Sequence, residues 1–160
     1  MRVIIVRHGK AKADSPDGTD FARDLRGRGE RQAAFLGDHL AAMPGGVGRI
    51  VASEAVRARR TAASISEATG VPVEHDDALL VDEPVGPVVE RIVAWGEGLE
   101  GALVLVGHNP QLEWLASLLG GNGVTGAGAP LRTGEAVVLE VDPSSPLEGA
   151  EIGRVRLEEA

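Results

Sequence analysis

Two unbroken apolar runs, Val3-Ile4-Ile5-Val6 and residues 102–106, constrain the fold of this chain more than any other feature. Neither alternates with polar residues, so neither suits a strand with one face in water. Both suit strands covered on two faces, the pattern of a parallel sheet. Amphipathic stretches lie between them. From about Gly29, the residues Ala33, Leu36, Leu40 and Met43 recur at helical spacing until Pro44-Gly45-Gly46 ends the pattern. From about Glu54, Ala55, Ala58, Ala62 and Ile65 share one helical face, and Gly70 closes it.

Shorter strands are predicted at residues 49–52 and 71–74, a loop over 76–87, and a helix over 88–95. Pro110 opens a further helix carrying Leu112, Leu115, Ala116 and Leu119. Residues 120–130 hold five glycines and read as a loop or turn. Residues 136–141 and 152–157 read as closing strands; the second alternates and belongs near an edge. Strand and helix thus take turns along the chain. That order predicts an α/β three-layer sandwich, a mostly parallel central sheet with helices on both faces. No internal repeat or linker divides the 160 residues, so one domain over 1–160 is expected.

Composition narrows the partners. The formal net charge of −8 repels nucleic-acid backbones and anionic membranes, and 2% aromatic residues leave few platforms for stacking bases. The chain has no cysteine, which removes thiolate chemistry and Cys-ligated zinc. The N-terminal apolar run is too short for a signal-peptide core or a membrane span, so a cytoplasmic protein is expected. An anion site on such a chain must be a local cluster of cations working against the global field.

Ligands of parallel α/β sheets gather at the carboxyl ends of the strands. The first strand delivers Arg7-His8-Gly9, the second leads to Ser53 and then Arg57, and the third delivers Gly107-His108-Asn109-Pro110. Arginine offers a planar fork for two phosphoryl oxygens, and neutral imidazole holds a lone pair near pH 7. Gly9 leaves room for its N–H to approach a phosphate. Asn109 as N-cap with Pro110 at the first helical position sets a helix N-terminus, itself attractive to anions, beside His108. Each segment alone also fits a structural histidine or a solvated arginine. Arg59 and Arg60 flank Arg57, and Arg23 lies in the polar loop after the first strand. His39 and His75 read as structural or exposed. At an effective dielectric near 20, one opposite charge at 4 Å is worth about 4 kcal/mol, so a few convergent arginines can outweigh a screened, distant −8 surface.

Together, Arg7-His8-Gly9 at the end of an N-terminal strand, Arg57 after the second strand and Gly107-His108 late in the chain resemble the histidine phosphatase superfamily. The Arg23-Asp24-Leu25 segment with Gly29, and Ser53 followed by Arg57, Ala58 and Thr61, are similar to its small phosphohistidine phosphatases of the SixA type. The similarity runs from Met1 to about Val141. Arg26 stands where the family often has Ser or Thr, and Glu54 where it often has Pro.

The resemblance implies a phosphoglycerate-mutase-like fold, phosphorylation of His8, and a phosphoryl group held by Arg7, Arg57 and His108, with Arg23 as an added contact. It implies neither metal nor cofactor. The expected substrate is phosphohistidine on a protein. The alternatives are small phosphate esters or a non-catalytic phosphate-binding module. Esters call for a general acid, for which Asp82 and Glu83 are the placeable residues. No nucleic-acid or membrane partner is expected, and no oligomeric state is assigned.

Overall fold

The computed structural model describes residues 1–121 and 130–158, so most of the glycine-rich segment lies outside the described residues. The elements run β1 (Arg2–Arg7), α1 (Gly27–Ala41), β2 (Val47–Ala52), α2 (Val56–Thr69), β3 (Val73–His75), α3 (Gly86–Gly96), β4 (Ala102–Gly107), α4 (Gln111–Leu119), β5 (Ala136–Asp142) and β6 (Ser145–Val155). They form one sheet in the order β3-β2-β4-β1-β5-β6. β1 pairs with β4, β4 with β2, and β2 with β3, all parallel; β5 and β6 close the sheet antiparallel.

The apolar runs behave as their lack of alternation demands. Val3 and Ile5 of β1, with Leu103 and Leu105 of β4, point to a layer built by Val88, Ile92 and Trp95 of α3 and Leu112, Leu115 and Leu119 of α4. Ile4 and Val6, with Val104 and Val106, point the other way, onto Leu36 and Leu40 of α1 and Ala58, Ala62 and Ile65 of α2. The result is a mixed sheet between two helical layers. Each fully buried Val, Ile or Leu contributes roughly 1.5–3 kcal/mol, enough for these strands to carry polar groups at their ends. Gly70 ends α2 with φ 77°, in the left-handed region that glycine favours.

Three expectations change. The last strand begins at Ser145, not near residue 152. A tight turn after β5, in which the Asp142 carboxylate accepts from the Ser144 N–H and hydroxyl, brings the chain straight back. Pro146 and Gly149 disguise that stretch in the sequence and are tolerated because β6 is an edge strand. Within the expected loop over 76–87, Asp77–Leu79 forms a 3-10 turn capped by Asp76.

Asn109 does not cap α4. Its Nδ2 donates to Glu113 Oε1 at 2.9 Å and to Leu131 O at 2.8 Å, and the helix starts at Gln111. The Leu112 N–H donates to His108 O. Among the described residues, no helix is long and apolar enough to cross a membrane.

Candidate active site

Because β4 lies between β2 and β1, the carboxyl ends of three parallel strands are neighbours. Ala52 is opposite Val106, and Gly107 is opposite Arg7. The Ser53 N–H continues the ladder onto Val106 O at 3.0 Å, and the His8 N–H onto Gly107 O at 3.1 Å. Ser53, His108 and His8 therefore stand side by side. The two imidazole centroids are 5.2 Å apart.

A cleft of about 480 Å³ opens above these ends, and Arg7, His8, Arg23, Arg57 and His108 all line it. The five residues singled out from sequence are thus brought together. Asp82 lines the cleft as well, whereas Glu83 is not among its lining residues. His39 and His75 are exposed and lie elsewhere. Sequence reasoning missed Asp20 and Lys10, which also line the cleft. Asp20 stands three residues before Arg23, a spacing that could have marked an ion pair.

His8 is 8% exposed, and its ring is oriented from both sides. Nδ1 lies 2.8 Å from Gly9 O. A carbonyl oxygen only accepts, so Nδ1 carries the proton and Nε2 keeps the lone pair. That lone pair receives the Arg57 Nε–H at 3.3 Å. Burial, then the charges of Arg57, Arg7 and Arg23, push the His8 pKa down from 6.5 to about 4, against the opposing bond to Gly9 O. His108, 3% exposed, is lowered to about 3 by burial, then by His8 and Arg57.

Gly9 serves a different purpose from the one expected. Its N–H donates to Thr61 Oγ1 at 3.0 Å, one helical turn beyond Arg57, rather than facing the cleft. A Cβ there would stand 2.6 Å from Gly29 O, so Gly9 lets the end of β1 touch the start of α1. Thr61, already part of the segment that resembles the SixA type, lies four residues after Arg57 on the same face of α2.

The histidines are supported unequally. The Ser53 hydroxyl sits 2.8 Å from His108 Nε2 and already accepts the Ala55 N–H at 3.2 Å. When the hydroxyl donates its proton onto Nε2, His108 carries its own proton on Nδ1. Among the described residues, His108 Nδ1 and Arg7 Nε are buried without a protein partner. Buried polar atoms are rarely left unpaired, and these two belong to residues lining the cleft, where an incoming anion would find donors. Arg7 Nη1 is anchored on Leu131 O at 3.1 Å. Arg23 Nε donates to Lys12 O at 2.7 Å, which holds that arginine at the rim. Among the described residues, no three His, Asp or Glu side chains are grouped to hold a metal ion.

The sheet topology and helical layers are those of the phosphoglycerate-mutase-like α/β fold. Residues 3–80 match the histidine phosphatase superfamily (branch 1). The uncharacterized protein Rv1276c of Mycobacterium tuberculosis is 35% identical over 133 residues, which cover 81% of this chain and 79% of that protein. The protein histidine phosphatase SixA, solved with tungstate, superposes with a TM-score of 0.85 over 98% of this chain and 97% of its own, at 23% identity. A candidate SixA phosphohistidine phosphatase of Agrobacterium tumefaciens gives 0.77 over 96% of each chain, at 25% identity. The chain belongs to the histidine phosphatase superfamily, a membership that supports phosphatase activity.

Proposed function

We propose that this protein hydrolyses phosphohistidine on proteins through a phosphohistidine intermediate of its own on His8, without a metal. One observation carries the reading. His8 Nε2, its lone pair fixed by the Nδ1 bond to Gly9 O, faces the Arg57 guanidinium in a cleft shared with Arg7, Arg23 and His108.

In the first step Nε2 attacks phosphorus in line. The Nε2–P bond forms as the bond to the leaving atom breaks, and that atom departs with the electron pair. Arg7, Arg57 and His108 donate to the equatorial oxygens, with Arg23 reaching from the rim. These donors are set before charge shifts, which is where such groups act most strongly. In the second step water attacks phosphorus and the imidazole leaves with its electron pair. Side-chain cations supply the positive charge a metal would otherwise bring.

An imidazole or amine leaving group needs less help from an acid than an alkoxide does. Similarity to the SixA structures supports the same substrate class. The second reading, small phosphate esters, is favoured by Asp82. This non-glycine residue lines the cleft and is held at φ 64°, an uncommon conformation, so its carboxyl is the candidate acid.

The test is kcat/KM across a phosphohistidine protein, phosphoramidate and phosphate esters of rising leaving-group pKa, each with and without EDTA. The expected order puts the N-linked phosphates first, with no effect of EDTA and no turnover by His8→Ala. Esters of poor leaving groups turned over as fast as phosphohistidine, with loss of that activity alone in Asp82→Asn, would establish the second reading instead.

A further inference from the structure

We propose that Asp20 is a positioning residue for phosphoryl transfer: its carboxylate aims the Arg57 guanidinium at His8 and does not itself touch the substrate. The proposal rests on the reading of His8 as nucleophile.

Arg57 has five N–H groups and is 4% exposed, while Asp20 is half exposed. Asp20 takes the guanidinium end-on. Its backbone oxygen accepts from Nη1 at 2.8 Å, and its Oδ2 accepts from Nη2 at 2.9 Å. The guanidinium is planar, so gripping that end turns the adjacent edge, Nε–H with the second Nη2–H, in a determined direction. Nε on that edge lies 3.3 Å from His8 Nε2. The clamp thus leaves that edge free of Asp20, with its Nε–H on the Nε2 lone pair that a phosphoryl group would take over.

The other carboxylate oxygen, Oδ1, accepts from Arg23 Nη1 at 2.9 Å, so one side chain ties both cleft arginines together. The loop bearing Asp20 is itself held to the fold. The Val56 N–H, at the start of α2, donates to Phe21 O at 3.0 Å, and the Lys12 N–H donates to Asp24 O at 2.8 Å.

Charge argues in the same direction. Arg7, Lys10, Arg23 and Arg57 line one cleft and repel each other while it is empty. A carboxylate between two of them offsets that repulsion. Although partial burial works the other way, the bonds from Arg57 and Arg23 hold the Asp20 carboxyl below its ordinary range, so it stays charged at neutral pH. The alternative is a plug, a carboxylate standing where phosphate should bind. A plug would occupy the Nε/Nη2 edge facing His8, whereas Asp20 occupies the adjacent Nη1/Nη2 end.

Asp20→Ala and Asp20→Asn in the full chain test the proposal with three readouts: kcat and KM for phosphoramidate, affinity for inorganic phosphate by calorimetry, and the NMR signal of the Arg57 Nε–H. With Asp20→Ala, kcat is expected to fall roughly 10- to 100-fold, the cost typical of a misplaced catalytic group, while KM and phosphate affinity change much less. The Arg57 Nε–H signal should shift or broaden. Asp20→Asn, which keeps one acceptor oxygen, should recover part of kcat.

An unchanged kcat and an unmoved Arg57 signal would reduce Asp20 to a surface ion pair. Tighter phosphate binding with kcat kept or raised would make it a plug. Either result overturns the proposal. Turnover retained by His8→Ala would overturn the nucleophile reading instead, and the Arg57 signal would still report whether Asp20 sets that guanidinium.

Discussion

At the scale of single residues, the two imidazoles differ in what fixes their protons. His8 is set by a backbone carbonyl, which no side-chain substitution removes. His108 depends on one hydroxyl, that of Ser53. With Ser53→Ala, nothing specifies which nitrogen of His108 is protonated, and the ring loses its anchor. The expected outcome is a roughly tenfold loss of kcat with the fold kept, accompanied by a mixture of His108 tautomers in nitrogen NMR. An unchanged tautomer and rate would remove Ser53 from the account.

Titration tests the same surroundings. His8 should gain its proton near pH 4 and His108 near 3, so both stay neutral across the physiological range. Their folded pKa values lie below the unfolded value of 6.5. Between pH 6.5 and about 4, the unfolded chain therefore binds more protons than the folded one, and stability falls as the pH drops through that window. Urea denaturation at pH 7 and at pH 4.5 should show the loss, and saturating phosphate should oppose it by binding only the folded cleft. A His8 resonance titrating near 6.5 would show that the ring is not buried against cations.

At the scale of elements, the meeting of β1 and α1 sets where His8 sits. A Cβ on Gly29 would stand 2.1 Å from Lys10 O and 2.8 Å from Lys10 N, contacts with backbone that no rotamer change relieves. Gly29→Ala is therefore expected to cost about 1–3 kcal/mol and to lower Tm by several degrees, with activity falling as the end of β1 moves. Thermal denaturation alongside kcat measures both; a wild-type Tm and rate would show that the contact yields easily. Gly9 was visible in the sequence beside His8, yet its purpose was not. A close approach between two backbones far apart in the chain leaves no local pattern. The same limit hid the start of β6, where proline and glycine mask a strand that pairs with β5. The buried strands were legible because burial on two faces demands an unbroken apolar run. The helix stripes were legible because their apolar period is local.

For the whole molecule, the decisive fact is an order of strands. β4, late in the chain, enters the sheet between β1 and β2 and brings His108 between Ser53 and His8. Arg7, His8, Arg57 and His108 could be read from sequence because strand ends in a parallel sheet share one edge. The pairing of Asp20 with Arg57 could not, because the two meet only once the loop folds over α2. The cleft also gathers Arg7, Lys10, Arg23 and Arg57 on a chain with a net charge of −8, so the attraction for phosphate is local and works against the molecule's own field.

The central claim is a covalent bond between phosphorus and His8 Nε2. Brief exposure to labelled phosphoramidate, followed by rapid quenching and peptide mapping, tests it most directly. The account predicts acid-labile, alkali-stable phosphate on the peptide containing His8, absent from His8→Ala and unaffected by EDTA. Turnover with no label on that peptide, or label persisting in His8→Ala, would contradict it.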